Sequence, residues 1–157
     1  MAITVRASSG VSSNAYINGT LNSPAALYLP APAGVQIGDY YVVAMWTPDL
    51  NGTQSWYNPP GMDVLTTVGT TTSKSMRTWG LKIQSSADLS TIANIPVRFG
   101  GTNGRADAVG VALEGVDLSA TPSSSNIAFT TTSTSWLTFA SAGGDNQVYF
   151  TYAAASA

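Results

Sequence analysis

Apolar residues in this chain come in short runs, broken every eight to twelve residues or so by Gly, Pro, Asn or Ser. The clearest run spans 40–46, where Tyr41, Val43 and Met45 alternate with Tyr40, Val42, Ala44 and Trp46. A period of two predicts a β-strand, and apolar residues on both of its faces predict a strand in the middle of a packed sheet. A turn at Gly34 and Gly38-Asp39 leads into it. Further runs predict short strands at 3–6, 26–29, 62–68, 76–83, 92–99, 107–113, 127–129, 136–139 and 147–152. Pro30 and Pro32 stop the second of these, and Pro96 marks the 92–99 run as an edge or a bulge. In 76–83, Met76, Thr78, Gly80 and Lys82 share one side, and Arg77, Trp79, Leu81 and Ile83 the other. With 62–68 and the polar 69–75 stretch this makes a hairpin. Val109, Val111 and Leu113 are the inward side of 107–113.

The stretches between are rich in turn formers. Residues 7–24 form a loop with room for one short strand, and 47–61 a long loop that contains the turn dipeptide Asn51-Gly52. Gly100-Gly101 and Gly143-Gly144 read as hairpin turns, because neither is followed by the Lys-Ser/Thr and helix that a phosphate loop requires. Ser85 with Asp88 caps a single helical turn, with no periodic helix after it. About ten short strands without an amphipathic helix predict an all-β fold, an antiparallel β-sandwich of jelly-roll or immunoglobulin-like type. The 157 residues make one domain, 1–157, with 1–24 an N-terminal arm or loop and 153–157 a frayed tail.

Composition adds a constraint on the surface. Only 9% of residues are charged, against about 25% in an average domain. The polar remainder is Ser, Thr, Asn, Gln and Gly. A net charge of −2 supplies no attraction for nucleic acid or an anionic membrane. Lys74, Arg77 and Lys82 read as solubilising residues around one strand. There is no cysteine to record a redox compartment. The start Met1-Ala-Ile-Thr-Val-Arg6 lacks a signal-peptide pattern, which gives the expectation of a chain made in a cytoplasm and not exported by a Sec leader. A weakly charged all-β surface invites association, so the surface is expected to be covered by a partner or by further copies.

Histidine is absent. That removes the imidazole base, the Ser-His pair and the usual zinc set. The carboxylates are Asp39, Asp49, Asp63, Asp88, Asp107, Glu114, Asp117 and Asp145. Most stand at turns, where Asp bonds neighbouring backbone, and no pair is assigned to glycoside hydrolysis. No calcium-loop run occurs, and Asp107 and Asp145-Asn146 read as turn residues. No catalytic residue, metal ligand or cofactor is assigned. Trp46 and Trp79 lie in strands and are expected in the core. Trp56 and Tyr57, beside Pro59-Pro60, are the candidates for contact with a partner or a glycan.

Three segments together resemble one family. The turn from Leu29 to Asp39 with its apolar strand resembles a Pro-x-Gly-Val-x-x-Gly-Asp element. Pro59-Pro60-Gly61 with the following strand resembles a Pro-Pro-Gly-Trp element, with Met62 in place of Trp. The stretch from Ala106 to Asp117 resembles a buried strand ending in aromatic-x-Gly-Val-Asp, with Leu113 in place of the aromatic. The family is a β-sandwich domain of virion proteins in tailed phages and prophages, particularly of actinobacteria, often within minor tail proteins. The resemblance covers about residues 3–152 and carries no catalytic residues. It implies a non-enzymatic phage virion structural protein, made in the bacterial host and released by lysis. A short chain with its own Met1 points to capsid (head) decoration or stabilisation by multivalent contact, as a homo-oligomer on the particle. The partners would be the major capsid protein or tail proteins. The alternative is a tail-associated carbohydrate- or receptor-binding module using Trp56 and Tyr57. A stop soon after Gly143-Gly144 leads to the expectation of an open sheet edge for a neighbouring subunit to cover.

Overall fold

The structure is a computed structural model, and it describes residues 2–12, 17–19, 28–47, 51–69, 75–96, 99–104, 107–128, 132–139 and 146–153. The fold is all-β and antiparallel with one short helix. Its main sheet has five strands. They are β1 (Thr4–Ser12), β4 (Tyr40–Thr47), β6 (Asp63–Gly69), β7 (Ser75–Lys82) and β10 (Asp107–Glu114), in the order β1-β10-β4-β7-β6. Three smaller sheets are also present among the described residues. One pairs β11 (Ser123–Ala128), β12 (Thr132–Phe139) and β13 (Asn146–Ala153) in that order. Another joins β2 (Ile17–Gly19), β9 (Phe99–Gly104) and β5 (Asn51–Trp56) in the order β2-β9-β5. A two-stranded ribbon pairs β3 (Tyr28–Pro30) with β8 (Asn94–Pro96). The helix α1 (Ser86–Ile92) precedes β8. No helix among the described residues is long and apolar enough to cross a membrane.

As the alternation predicts, β4 is central, and every side chain from Tyr40 to Met45 is buried. Its two faces feed two apolar clusters. Tyr41, Val43 and Met45 join Trp79, Ile83 and Leu29 under the β3–β8 ribbon and α1. Tyr40, Val42 and Ala44 join Met76 and Leu113 on the other face, where Trp46 also packs. The faces of β7 divide as predicted, with Trp79 and Ile83 in the first cluster and Met76 in the second. The β6–β7 hairpin forms from Asp63↔Gly80 to Gly69↔Ser75, with one register shift between Val64 and Thr66.

The turn before β4 is closed by one side chain. Gly34 and Gly38 take φ of 95° and 104°, a region open to glycine. Asp39 is buried, and its Oδ2 accepts from the Gln36 amide at 2.9 Å, while the Gly38 amide donates to the Ile83 carbonyl and the Ile83 amide to the Asp39 carbonyl, tying the turn to the end of β7. Arg6 of β1 neutralises Asp39 at 3.0 Å and reaches Glu114 at 2.6 Å, whose other oxygen takes the Thr4 hydroxyl at 2.6 Å. One charged chain thus joins β1, β10 and the β4 turn.

The structure differs from the sequence expectations at several elements. β1 runs on to Ser12, because residues 7–12 pair with β10 from Ala7↔Ala112 to Ser12↔Asp107. Residues 51–56 are a strand and not part of a loop: Asn51 stands opposite Thr102 and Trp56 opposite Phe99. The Gly100-Gly101 stretch is strand β9, which pairs with both β2 and β5 instead of turning a hairpin. Small, polar strands of this kind have no apolar alternation to announce them. Ser85 does cap with Asp88, but seven helical residues follow, with Leu89 and Ile92 three apart and packed on the first cluster. The strand read at 92–99 is therefore split into a helix end, a three-residue strand and part of β9. In β10 Val109, Val111 and Leu113 do face inward, with Leu113 in the second cluster and the half-buried valines packed on it, but the opposite side is buried too, with Ala108 and Ala112 in the first cluster. The 70–74 turn, Lys74, Asp49, Gly143-Gly144, Asp145, the 154–157 tail and much of the 1–24 segment lie outside the described residues.

Candidate functional site

A cleft of about 180 Å³ opens at the β6 edge of the main sheet. It is lined by the buried Tyr40, by Asp63 and Lys82, and by Val64, Leu65, Thr121 and Pro122. Local structure explains why these residues meet. Asp63 of β6 pairs with Gly80 of β7, and Lys82 pairs with Tyr40 of β4. Gly80 has no side chain, so the Tyr40 ring lies across β7 towards β6. A Cβ at Gly80 would stand 2.5 Å from the Tyr40 hydroxyl and 2.9 Å from Leu65 Cδ1. The register then slips between Val64 and Thr66. A bulge of this kind re-aims neighbouring side chains, and here consecutive residues Val64 and Leu65 both line the cleft.

The fourth side comes from the β10–β11 connection. Gly115 turns the chain with φ 82°, where a Cβ would stand 2.8 Å from the Ala2 carbonyl. Val116 and Leu118 then pack on the second apolar cluster. Asp117 Oδ1 accepts from the Ser119 amide at 2.9 Å and from its hydroxyl at 2.6 Å, and Ala120 donates to the Asp117 carbonyl. This double turn delivers Thr121 and Pro122 to the cleft.

The electrostatics are mixed. Burial, then the nearby Asp63 charge, pushes the Tyr40 hydroxyl up to about 12, so it stays a neutral donor at ordinary pH. The Ser119 bonds, and to a lesser degree the Lys82 ammonium, hold the Asp117 carboxyl below its usual value. The two ion pairs among the described residues both belong to Arg6, away from this cleft. A carboxylate, an ammonium, a phenol and a hydroxyl therefore face one small space. Such a set can bind hydroxyls or amides. Among the described residues no three acidic side chains gather to hold a metal.

The aromatic pair expected to form a site is placed elsewhere. Trp56 ends β5 and its side chain lies outside what the structure describes, while Tyr57 is half-buried just after it. The following loop packs on the core. Pro59 and Met62 are buried, and the Asn58 side-chain Oδ1 accepts from Trp79 Nε1 at 3.0 Å and from Arg77 at 3.3 Å. Arg77 also donates to Thr67 at 2.8 Å, and burial lowers its pKa. It is thus held in the sheet and is more than the solubilising residue expected. Tyr40, Asp63, Lys82 and Thr121 were not singled out as a group. The one local signal was Gly80 inside an apolar strand, which marks a close approach of another group.

Comparisons with models of known protein families, with curated proteins and with solved structures find no match to this chain.

Proposed function

We propose that the chain is a non-enzymatic structural protein of a phage particle, in which the sheets pack as a β-sandwich and copies attach by multivalent surface contact. The observation that carries this reading is the state of the two edges of the main sheet. β1 and β6 each carry a register shift and an exposed valine, Val5 at 61% and Val64 at 46% exposure. A bulge blunts an edge against uncontrolled pairing, and an exposed valine beside it offers a small apolar contact. Ile37 in the β4 turn, at 58%, and Tyr28 add two more. In a chain with only 9% charged residues, such contacts are individually weak and gain strength by repetition on a lattice. The resemblance of the 29–39, 59–61 and 106–117 segments to virion domains supports the same assignment. Decoration or stabilisation of the head, on the major capsid protein, is the simplest such role.

Gold-labelled antibody against the protein on intact particles tests this. Label spread over the head is the expected result, and no label on any particle overturns the virion reading. Label at the tail tip selects the second reading, a tail-associated receptor- or carbohydrate-binding module, which the half-exposed Tyr57 after β5 favours.

A further inference from the structure

We propose that the cleft at the β6 edge binds one neutral, hydroxyl-rich sugar unit, with Asp63 accepting from its hydroxyls, Lys82 and Tyr40 donating to them, and Val64 and Pro122 packing on its apolar ring face. The assignment is independent of where on a particle the protein sits.

Charge narrows the ligand first. Asp63 and Lys82 line the same space of about 180 Å³. An anion entering it meets the Asp63 carboxylate, and a cation meets the Lys82 ammonium. Neither side chain makes a direct ion pair among the described residues, where both such pairs belong to Arg6, although Lys82 feels the charge of Asp117 nearby. A neutral ligand that both donates and accepts at adjacent positions satisfies the two groups at once. Vicinal hydroxyls do this, each giving a proton to the carboxylate and taking one from the ammonium. The Tyr40 hydroxyl keeps its proton far above neutral pH and is a further fixed donor.

Size and shape narrow it again. The volume falls below the roughly 300–1,000 Å³ of pockets for drug-sized ligands, which leaves room for a single ring rather than an extended chain. The walls are aliphatic and cyclic, Val64, Leu65 and Pro122. These suit the C–H face of a sugar in the way that apolar walls with a few placed polar groups suit small ligands generally. Three separate devices build the space: the missing side chain at Gly80, the slip between Val64 and Thr66, and the Asp117–Ser119 turn that brings in Thr121. A plain sheet edge needs none of them.

The test is a titration of the isotope-labelled full chain, followed by amide NMR, with glucose, galactose, mannose and N-acetylglucosamine. Glucosamine and glucuronate serve as the charged controls. At least one neutral sugar is expected to give saturable shifts at Tyr40, Val64, Lys82 and Thr121, with Kd on the order of 1 mM. The charged controls are expected to bind more weakly. Asp63→Ala removes an exposed side chain at a strand end, and is expected to weaken binding about tenfold while leaving the unfolding midpoint in place. Lys82→Met is the second variant and is expected to act in the same direction. Absence of saturable shifts with every neutral sugar overturns the proposal. So does a shift pattern centred on Tyr57, equal binding of the charged sugars, or binding that survives both variants.

Discussion

Single residues carry more of this fold than their chemistry suggests, and two glycines show why. Gly110 on β10 lies beneath the Tyr41 ring, and Gly80 on β7 beneath Tyr40, so adjacent tyrosines of β4 cover a glycine on either neighbour and on opposite faces. A Cβ at Gly110 would run into the Tyr41 hydroxyl and stand 2.7 Å from its Cζ. Tyr41 is fully buried and has nowhere to swing. Gly110→Ala is therefore expected to cost about 2–3 kcal/mol, the upper part of the overpacking range. Gly80→Ala is expected to cost less, because Tyr40 borders an open cleft and Leu65 can turn aside. Urea unfolding with unchanged m-values checks both. Among the described residues the buried Tyr41 hydroxyl has no well-formed hydrogen bond; the nearby Ser9, whose own proton goes to the Pro30 carbonyl at 2.6 Å, offsets only a little of the effect of burial on its pKa. Tyr41→Phe alone is accordingly expected to be neutral or stabilising, and to recover part of the loss when combined with Gly110→Ala. A large loss from Tyr41→Phe would contradict this account.

The charged chain gives a second residue-scale expectation. Asp39 is 2% exposed, and among the described residues its carboxylate has two partners, the Gln36 amide and the Arg6 guanidinium. Arg6→Met keeps the side-chain stem but leaves a buried carboxylate with one bond, at an expected cost of about 2 kcal/mol. Glu114→Gln breaks only the partly exposed end of the chain and is expected to cost less than about 1 kcal/mol. Thermal or urea unfolding of the two variants side by side decides the order; equal losses would place the weight of the chain at Glu114.

At the scale of elements, legibility in the sequence follows apolar content. β4, β7 and β10 were readable because alternation over eight residues is hard to produce in a loop, and β4, β6 and β10 are flanked by glycines at positive φ. β5, β9 and the second half of β1 were missed for the converse reason. Asn51–Trp56 and Phe99–Gly104 are mostly Asn, Gly, Thr and Ser, which taken locally signal turns. Their pairing is decided by register with distant strands, as when Ser12 meets Asp107. The helix was half legible. Ser85 and Asp88 form a reciprocal cap, with Asp88 Oδ2 also accepting from the Gln84 amide at 2.9 Å. These bonds lower the Asp88 pKa. Only two apolar positions follow, too few to show a period. The cleft was the least legible feature, because its residues come from β4, β6, β7 and the 115–122 connection. Asp63 and Lys82 are unremarkable alone, and only the Asp63↔Gly80 and Tyr40↔Lys82 pairings set them together.

For the whole molecule the two buried tyrosines lead to the expectation that the central sheet loses support from both faces together at high pH. Burial pushes both Tyr40 and Tyr41 up from 10.0 to about 12. In the unfolded chain each ionises near its ordinary value, while in the folded chain each keeps its proton. A folded-state pKa above the unfolded one gives a contribution that is fully present below pH 10 and is lost as pH rises from there towards about 12. Through that window the unfolded state has released protons that the native state still holds, so every added unit of pH favours unfolding. The residues are neighbours on the central strand, and one belongs to each apolar cluster. Ionisation of either therefore removes support from a strand that the other cluster shares. Stability measured by urea unfolding is expected to be flat from neutral pH to about pH 9 and then to fall steeply. Tyr41→Phe, which leaves the first cluster otherwise intact, is expected to make that fall shallower without moving its onset, because Tyr40 still titrates. An alkaline limb of equal steepness in the variant would mean that Tyr41 does not carry its share, and a flat profile through pH 12 would remove both.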